Sequence, residues 1–108
     1  MTNYLEQKCA KAPPALSHDA VRDHLAQCSG WREAEGAIEK TFSFKSWLET
    51  VAFVDALAWV CHVEDHHPDL AVSFGRCTVR FATHSAGGIT RNDFICAAKA
   101  DALVAFVG

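Results

Sequence analysis

The chain has 108 residues, half of them apolar, and its formal net charge at pH 7 is −3. This size corresponds to one domain that can build a core without disulfides or a metal. No run of lysine and arginine is present, which argues against nucleic acid as a partner. No apolar stretch is long enough to span a membrane, and the first residues lack the features of a signal peptide.

Five cysteines are scattered along the chain without a CxxC pair. This pattern predicts reduced thiols, most of them buried, in a cytoplasmic protein.

The chain is expected to begin with a loose lead-in over residues 1–15, followed by a single domain over residues 16–108. The sequence APPA near the end of the lead-in disfavours regular structure. Ser17 is a suitable N-cap for a first helix. We expect this helix to end near Ser29 and Gly30, because glycine commonly follows the last turn of a helix.

Two short strands are predicted next, within the sequence WREAEGAIEKTFSF. Gly36 divides this segment. In its second half Ile38, Phe42 and Phe44 would share one face of a strand, while polar residues take the other face. Lys40 interrupts the alternation.

A long second helix should begin after Ser46, because Ser46 and Glu49 have the spacing of a capping box. It should end at Glu64 or Asp65, since Pro68 disfavours helical geometry in the residue before it. The sequence WLETVAFVDALAWVCHV is apolar on nearly all sides of this helix. In a domain of this size, such a helix predicts a subunit interface and at least a dimer.

The remaining sequence predicts two more strands and a third helix. Apolar and polar residues alternate on either side of Gly75, as in a pair of strands. Thr90 is a suitable N-cap, Asp93 would close a capping box, and the helix should run to about Leu103. The element order is α-β-β-α-β-β-α, so we predict an α+β fold with helices packed on a four-stranded antiparallel sheet.

Six histidines are many for this length, and four of them lie in the last turn of the second helix, just after it, or at the end of the last strand. The sequence EDHHPDL contains His66 and His67, His62 lies one helical turn earlier, and His84 stands at the end of the last strand. The two histidines of the first helix are expected to be solvated: His18 and His24.

Three interpretations of the histidine group are open. They could be ordinary surface and cap residues, because histidine suits the C-terminus of a helix. They could bind a metal, since His62 and His66 have i, i+4 spacing, although neither an HExxH motif nor paired cysteines accompany them. Further metal ligands would come from the following residues: Cys61, His67, Asp69 and His84. Lastly, histidine titrates near neutral pH and can both donate and accept protons, which suits acid–base catalysis.

The residues favour acid–base catalysis over a metal site by a small margin. The negative end of the second helix and the acidic neighbours Glu64 and Asp65 make His66 the expected proton donor. The bend at Pro68 would turn consecutive side chains into one pocket. As a polar residue at a helix end, His66 is expected to lie near the surface and to contribute little to stability.

Two longer motifs connect these histidines with a known family. EDHHPDL and TVRFATHSAGGITRNDFICAAKADAL together resemble the pterin-4a-carbinolamine dehydratases, in which HHP and an acidic residue precede a strand, TH, a glycine-containing turn and a helix that opens with an acidic residue. The sequences GW at Gly30–Trp31, FSF at Phe42–Phe44 and FVDALA at Phe53–Ala58 also fit, so the resemblance extends over about residues 16–103.

The resemblance implies a hydro-lyase that dehydrates 4a-hydroxytetrahydrobiopterin to quinonoid dihydrobiopterin. This reaction recycles the pterin consumed by aromatic amino-acid hydroxylases, notably phenylalanine hydroxylase. It needs neither a metal nor another cofactor, and relatives of this kind are homodimers or homotetramers. The residues that the resemblance identifies as catalytic are His66, His67 and His84. Those that it assigns to the pterin pocket are Asp65, Thr83 and Ser85.

The chain differs from many relatives at two positions, and two other functions remain open. His62 and Leu70 stand where many relatives have Glu and Trp, and the second change predicts an altered preference for the pterin side chain. Animal relatives also serve as dimerisation cofactors of a transcription factor, so one alternative is an assembly partner that retains the fold. The other is a histidine-ligated metal protein.

Overall fold

The computed structural model describes residues 3–107, and the side chains of residues 3–104. Within this part of the chain the helices and strands follow the order α-β-β-α-β-β-α, which confirms the predicted α+β fold. They are α1 (His18–Leu25), β1 (Arg32–Ala34), β2 (Ala37–Ser43), α2 (Trp47–Glu64), β3 (Asp69–Ser73), β4 (Arg76–Phe81) and α3 (Arg91–Val107). The predicted spans 1–15 and 16–108 also include residues 1, 2 and 108, which lie outside the described residues.

The four strands form one antiparallel sheet in the order β1-β2-β4-β3. Paired residues of neighbouring strands point to the same face, and the pair Ile38 and Phe81 is fully buried beneath α2 and α3. On the opposite face Thr41 and Thr78 are paired, and their hydroxyls lie 2.8 Å apart. One face of the sheet therefore packs on helices while the other presents polar side chains.

Lys40, which interrupts the apolar alternation of β2, lies on the same face as Ile38 and Phe42. Its Nζ donates hydrogen bonds to Asp101 Oδ1 at 2.8 Å and to the Ser29 carbonyl at 3.3 Å. The ammonium group is 5.0 Å from the centre of the Phe42 ring. The charge is thus paired at the margin of the core, so the strand continues through this position.

The helix boundaries agree with the sequence at α2 and differ at the other two helices. The Ser46 hydroxyl accepts the Glu49 N–H at 3.1 Å, as the capping box predicted. Helix α1 ends at Leu25 rather than near Ser29, because residues 26–30 form turns that bury Cys28. Helix α3 continues past Leu103 to residue 107, since no glycine or proline occurs before residue 108.

The lead-in lies against the domain at several points. Residues Tyr4–Glu6 form a 3-10 turn that buries the Tyr4 ring in the core. Further along, the Cys9 N–H donates to Glu64 Oε1 at 2.8 Å, and the Asn92 amide pairs with the backbone of Ala10. The prolines disfavour regular structure in this segment, but they do not prevent these contacts.

Helix α2 has two faces of different character. Its buried face packs on the sheet and carries Thr50, Phe53, Leu57 and Cys61. Its opposite face, here called the apolar face of α2, is exposed and carries Trp47, Leu48, Val51, Trp59 and Val63. The neighbouring edge strand β3 is exposed along its whole length. None of the helices formed by residues 3–107 is both long and apolar enough to cross a bilayer.

Candidate active site

The C-terminus of α2 turns the chain so that His66 points back into the domain. Asp65 adopts a left-handed conformation with φ of 53° and ψ of 44°, a position usually taken by glycine. The Asp65 N–H donates to the His62 carbonyl at 3.2 Å, and the His66 N–H donates to the Cys61 carbonyl at 3.0 Å. These two hydrogen bonds form a Schellman motif, which fixes the backbone on which His66 is carried.

The imidazole of His66 is held inside the domain by α3 and β4. Its Nε2 lies 2.6 Å from Oδ1 of Asp93, and its ring stacks on Phe81 with 6.0 Å between the ring centres. His66 is only 9% exposed and Asp93 is fully buried. The expectation that His66 lies near the surface is therefore wrong, because the turn after α2 directs the ring towards a buried carboxylate.

Asp93 connects His66 to two threonines in what we call the Asp93 network: His66, Asp93, Thr83 and Thr90. Its second oxygen, Oδ2, accepts the Thr83 hydroxyl at 3.0 Å and the Thr90 N–H at 2.8 Å. The two threonine hydroxyls lie 2.7 Å apart. Both oxygens of this buried carboxylate thus have hydrogen-bond partners, which hold the side chain in one orientation.

The Asp93 network also fixes the tautomer of His66. An ionised carboxylate only accepts hydrogen bonds, so Nε2 of His66 carries a proton and donates it to Asp93. Within the described residues the imidazole makes no second hydrogen bond, and no buried side-chain nitrogen or oxygen lacks a partner. Nδ1 of His66 is therefore open to solvent and available for proton exchange.

A cleft of about 340 Å³ lies beside this network. It is bounded by the β1–β2 turn, the first residue of β3, the end of β4 and the loop over residues 83–88. Its lining residues are Glu35, Gly36, Ala37, Asp69, Arg80, Ala82, Thr83, His84, Gly87 and Gly88. Thr83 belongs both to this lining and to the Asp93 network, so the buried hydrogen bonds reach the wall of the cleft.

Arg80 gives the cleft a fixed positive charge. Its guanidinium donates to Glu39 Oε1 at 3.2 Å and to the Ala34 carbonyl at 3.2 Å. Asp69 is its cross-strand neighbour and also lines the cleft. The cleft therefore offers a guanidinium, carboxylates and the imidazole of His84 to a polar ligand.

The predicted site residues are placed unevenly around the cleft. Thr83 and His84 line it, and His66 lies behind it, one carboxylate away from Thr83. His67 and Ser85 are exposed and are not among the lining residues. Asp65 lines a separate small cleft beside the lead-in. The structure thus brings part of the predicted set together, and the catalytic and substrate-binding roles remain predictions.

His62, the other half of the predicted metal pair, lies on the apolar face of α2. It is exposed, and its ring meets the Trp59 ring edge-on at 6.1 Å. His66 lies beyond the end of α2, so His62 and His66 are not adjacent on one helix face as their i, i+4 spacing predicted. In residues 3–107 no three His, Cys, Asp or Glu side chains are grouped so that they could hold a metal ion.

His24 differs from the solvated residue that the sequence predicted. Its ring stacks on Phe94 with 4.9 Å between the ring centres, and Nδ1 meets the Tyr4 hydroxyl. Burial, together with the positive charge of Arg91, lowers the pKa of His24. It is therefore a packing residue that links the lead-in to α1 and α3.

Sequence reasoning did not assign a role in the site to Asp93 or Thr90. Both were recognised as capping residues of α3, and the structure confirms this, since the Thr90 N–H donates to Asp93 Oδ2. A capping box does not reveal whether its carboxylate is buried or what its other oxygen contacts. The partner of Asp93 is His66, which lies 27 residues away along the chain.

The comparisons with known proteins identify the family and agree with this fold. Residues 14–103 match the family model described as pterin 4 alpha carbinolamine dehydratase, so the chain belongs to that family. A protein of Stenotrophomonas maltophilia is 57% identical over 90 residues, covering 82% of this chain and 78% of its own. One of Nitrosospira multiformis is 47% identical over 95 residues, covering 88% of this chain and 84% of its own. Both are provisionally named pterin-4-alpha-carbinolamine dehydratases.

Two solved structures share the fold. The crystal structure of a transcriptional coactivator/pterin dehydratase from Brucella melitensis superposes with a TM-score of 0.80 at 29% identity, covering 87% of this chain and 99% of that one. A pterin dehydratase-like protein, described as a RuBisCO assembly factor in the alpha-carboxysome, gives a TM-score of 0.59 at 27% identity. It covers 68% of this chain and 88% of its own.

Proposed function

We propose that the protein is a 4a-hydroxytetrahydrobiopterin dehydratase that releases water and quinonoid dihydrobiopterin. The observation that carries this proposal is the buried hydrogen bond between His66 and Asp93, continued through Thr83 to a cleft lined by His84. Together with membership of the dehydratase family, this arrangement supplies histidines of two environments beside one cleft. Such a difference in environment suits a reaction that needs both an acid and a base.

The reaction moves two protons. The hydroxyl at the 4a position takes up a proton and leaves as water, and a ring nitrogen of the pterin gives up a proton. In our proposal Nδ1 of His66 exchanges one of these protons while Asp93 holds Nε2–H and stabilises the charged imidazole, as carboxylates do in other His–carboxylate pairs. His84 and His67 complete the proposed catalytic set.

Substrate positioning is assigned to one residue that lines the cleft and to two residues outside its lining, on the strength of the family resemblance. Thr83, Asp65 and Ser85 are the proposed pterin contacts. The Thr83 hydroxyl is engaged by Asp93 and Thr90, so its contribution is to keep the network aligned. Leu70, which is partly exposed on the edge strand, leaves this region without the tryptophan common among relatives.

The biological setting is proposed from the same resemblance. The dehydratase would recycle tetrahydrobiopterin for an aromatic amino-acid hydroxylase, notably phenylalanine hydroxylase, in the cytoplasm. The apolar face of α2 and the exposed edge strand β3 support assembly into a homodimer or homotetramer, because large apolar side chains grouped on an exposed face mark an interaction site.

The direct test is turnover of 4a-hydroxytetrahydrobiopterin, followed as quinonoid dihydrobiopterin formed above the uncatalysed rate. We expect saturable turnover that depends on His66. A folded protein that gives no acceleration over buffer would contradict the proposal.

A second candidate is an assembly protein that retains the fold without relying on catalysis. Two observations favour it: the exposed apolar face of α2, and the likeness to a protein described as a RuBisCO assembly factor. An oligomeric, folded protein without turnover would favour this candidate, whereas turnover that is lost on replacing His66 would favour the dehydratase.

A further inference from the structure

The structure brings together two cysteines that are 87 residues apart along the chain. Sγ of Cys9, in the lead-in, lies 3.6 Å from Sγ of Cys96, on the buried face of α3. The Cys9 thiol also lies 3.8 Å from the Asn92 carbonyl. The sequence predicted scattered thiols, and neither cysteine belongs to a motif that would have indicated a pair.

The two thiols differ in access. Cys96 is fully buried, whereas Cys9 is partly exposed and lines a cleft of about 310 Å³ with Ala10, Lys11, Glu64 and Asp65. A small oxidant can therefore reach Cys9 before it reaches Cys96. The hydrogen bond with Cys9 and burial both raise the pKa of the Cys96 thiol, which makes Cys96 the slower partner.

We propose that Cys9 and Cys96 are a redox-modification site, at which a peroxide converts the two thiols into a reversible disulfide that ties the lead-in to α3. The sulfurs must approach to about 2.05 Å, the length of a disulfide. Residues 7–10 belong to no helix or strand, so the shift breaks no element of secondary structure.

The chemistry balances with hydrogen peroxide as the oxidant. The Cys9 thiolate attacks one peroxide oxygen, the O–O bond breaks, and the departing hydroxide takes a proton to become water, leaving a sulfenic acid on Cys9. The Cys96 sulfur then attacks the Cys9 sulfur and loses its proton, the S–O bond breaks, and a second water leaves. The two thiols have given two electrons to the peroxide, and a dithiol reductant reverses the change.

The disulfide would close the lead-in over the back of the candidate active site. Next to Cys9, the lead-in already contacts Glu64 at the end of α2 and Asn92 at the start of α3. His66 and Asp93 lie two residues and one residue beyond these contacts. The disulfide would therefore fix the lead-in beside the end of α2 and the start of α3, which the His66–Asp93 hydrogen bond joins.

The test is to treat the reduced full chain with hydrogen peroxide, block the remaining thiols by alkylation and map the peptides without reduction. We expect two of the five free thiols to disappear, a peptide linking Cys9 to Cys96, and recovery of both thiols with dithiothreitol. We also expect the melting temperature of the oxidised protein to rise by several degrees, because a link across so long a loop restricts the unfolded chain.

Two variants make the test specific. Cys9→Ser should lose both the link and the thermal shift. Cys28→Ser, which alters a buried cysteine elsewhere in the core, should keep both. If Cys9→Ser does not fold, Cys96→Ala serves in its place. Five unreacted thiols, a link through Cys61, a link between chains, or sulfinic acid on Cys9 without a link would each overturn the proposal.

Discussion

The C-terminus of helix α2 and its apolar face are two regions of different character. At its C-terminus the turn at Asp65 places His66 against Asp93, and every buried side-chain nitrogen and oxygen of the described residues has a hydrogen-bond partner. On its opposite face Trp59 and Val63 are 68% and 67% exposed. The first region is completed within one chain, whereas we expect the second to be covered by a partner. Chemistry can thus be tested through the first region and assembly through the second.

The test with the largest expected effect compares His66, in the buried region, with His62, on the apolar face of α2. We expect His66→Ala to lower turnover by at least about a hundredfold, the lower end of what a general acid or base supplies. It should also cost about 1–3 kcal/mol of unfolding free energy, since Asp93 loses the donor to a buried oxygen. Turnover and urea denaturation measure the two effects.

His62→Ala is the matched control, because His62 is exposed on the apolar face of α2 and takes no part in the Asp93 network. We expect its turnover to stay close to the wild type. If His62→Ala were inactive and His66→Ala active, the catalytic histidine would instead be the one on the apolar face of α2.

A smaller loss is expected when the carboxylate behind His66 is changed. Asp93→Asn keeps the shape of the side chain, but its NH₂ group cannot accept one of the hydrogen bonds that Asp93 receives. The imidazole would then be held less well in its tautomer, and we expect turnover to fall by about tenfold or more with little change in KM. Asp101→Asn removes a carboxylate that pairs with Lys40 away from the site and should leave turnover unchanged. Equal losses in both variants would argue against a positioning role for Asp93.

Local patterns predicted most of the fold. The capping box at Ser46 and Glu49, the alternation in β2 and β4, and the effect of Pro68 on the preceding residue each act over a few positions, so the sequence contains the whole signal. The end of α1 was harder to predict, because burial of Cys28 outweighs the glycine that follows.

The candidate site was predictable only in part, because its decisive contact is not local. EDHHPDL marks His66 as unusual, but its burial depends on the left-handed turn at Asp65 and on a carboxylate carried by α3. The capping of α3 alone explains an aspartate at position 93, so nothing in the neighbouring sequence indicates a contact with His66. The same holds for Cys9 and Cys96, which meet because Tyr4 and the hydrogen bonds at Cys9 and Ala10 hold the lead-in against the domain.

The next prediction concerns the apolar face of α2. We expect the wild-type protein to be at least a dimer at micromolar concentration, because Leu48, Trp59 and Val63 are each more than 60% exposed on one helix face and grouped exposed apolar side chains mark interaction sites. Val63→Glu places a charge in that surface and should reduce the mass, by light scattering, towards that of one chain. Thr41→Glu, on the polar face of the sheet, is the control and should leave the mass unchanged. A monomeric wild type would contradict the prediction.

A more modest effect is expected from acid at the contact between the lead-in and α2. Burial raises the pKa of Glu64, but the Cys9 N–H and the positive charges of Lys99 and Lys8 outweigh it, so the pKa lies below its usual value of 4.5. A lowered pKa means that the folded state favours the carboxylate. The stabilisation is thus complete above pH 4.5 and is lost as the pH falls through the folded-state pKa.

Comparison with Glu64→Gln measures this contribution. Above pH 4.5 the wild type should be more stable by up to about 1 kcal/mol, because Gln keeps an acceptor for the Cys9 N–H but loses the charge that strengthens this hydrogen bond and attracts Lys99. The difference should shrink as the pH falls below 4.5. Urea midpoints over a pH series provide the measurement. A difference that grows towards acid would mean that another group controls the contact.

No effect at all is expected from removing metal ions. Nε2 of His66 already donates to Asp93, and His62 lies on the far face of α2, so a metal could not use both without rebuilding the end of the helix. We therefore predict that a chelator leaves turnover unchanged and that protein purified without a metal-binding tag contains no stoichiometric zinc by elemental analysis. Activity that is lost with chelator and restored by zinc would change the role of His66 from proton exchange to metal ligation. It would then also require that the bond to Asp93 orient a ligand, and Asp93→Asn should weaken zinc binding by about 10- to 100-fold.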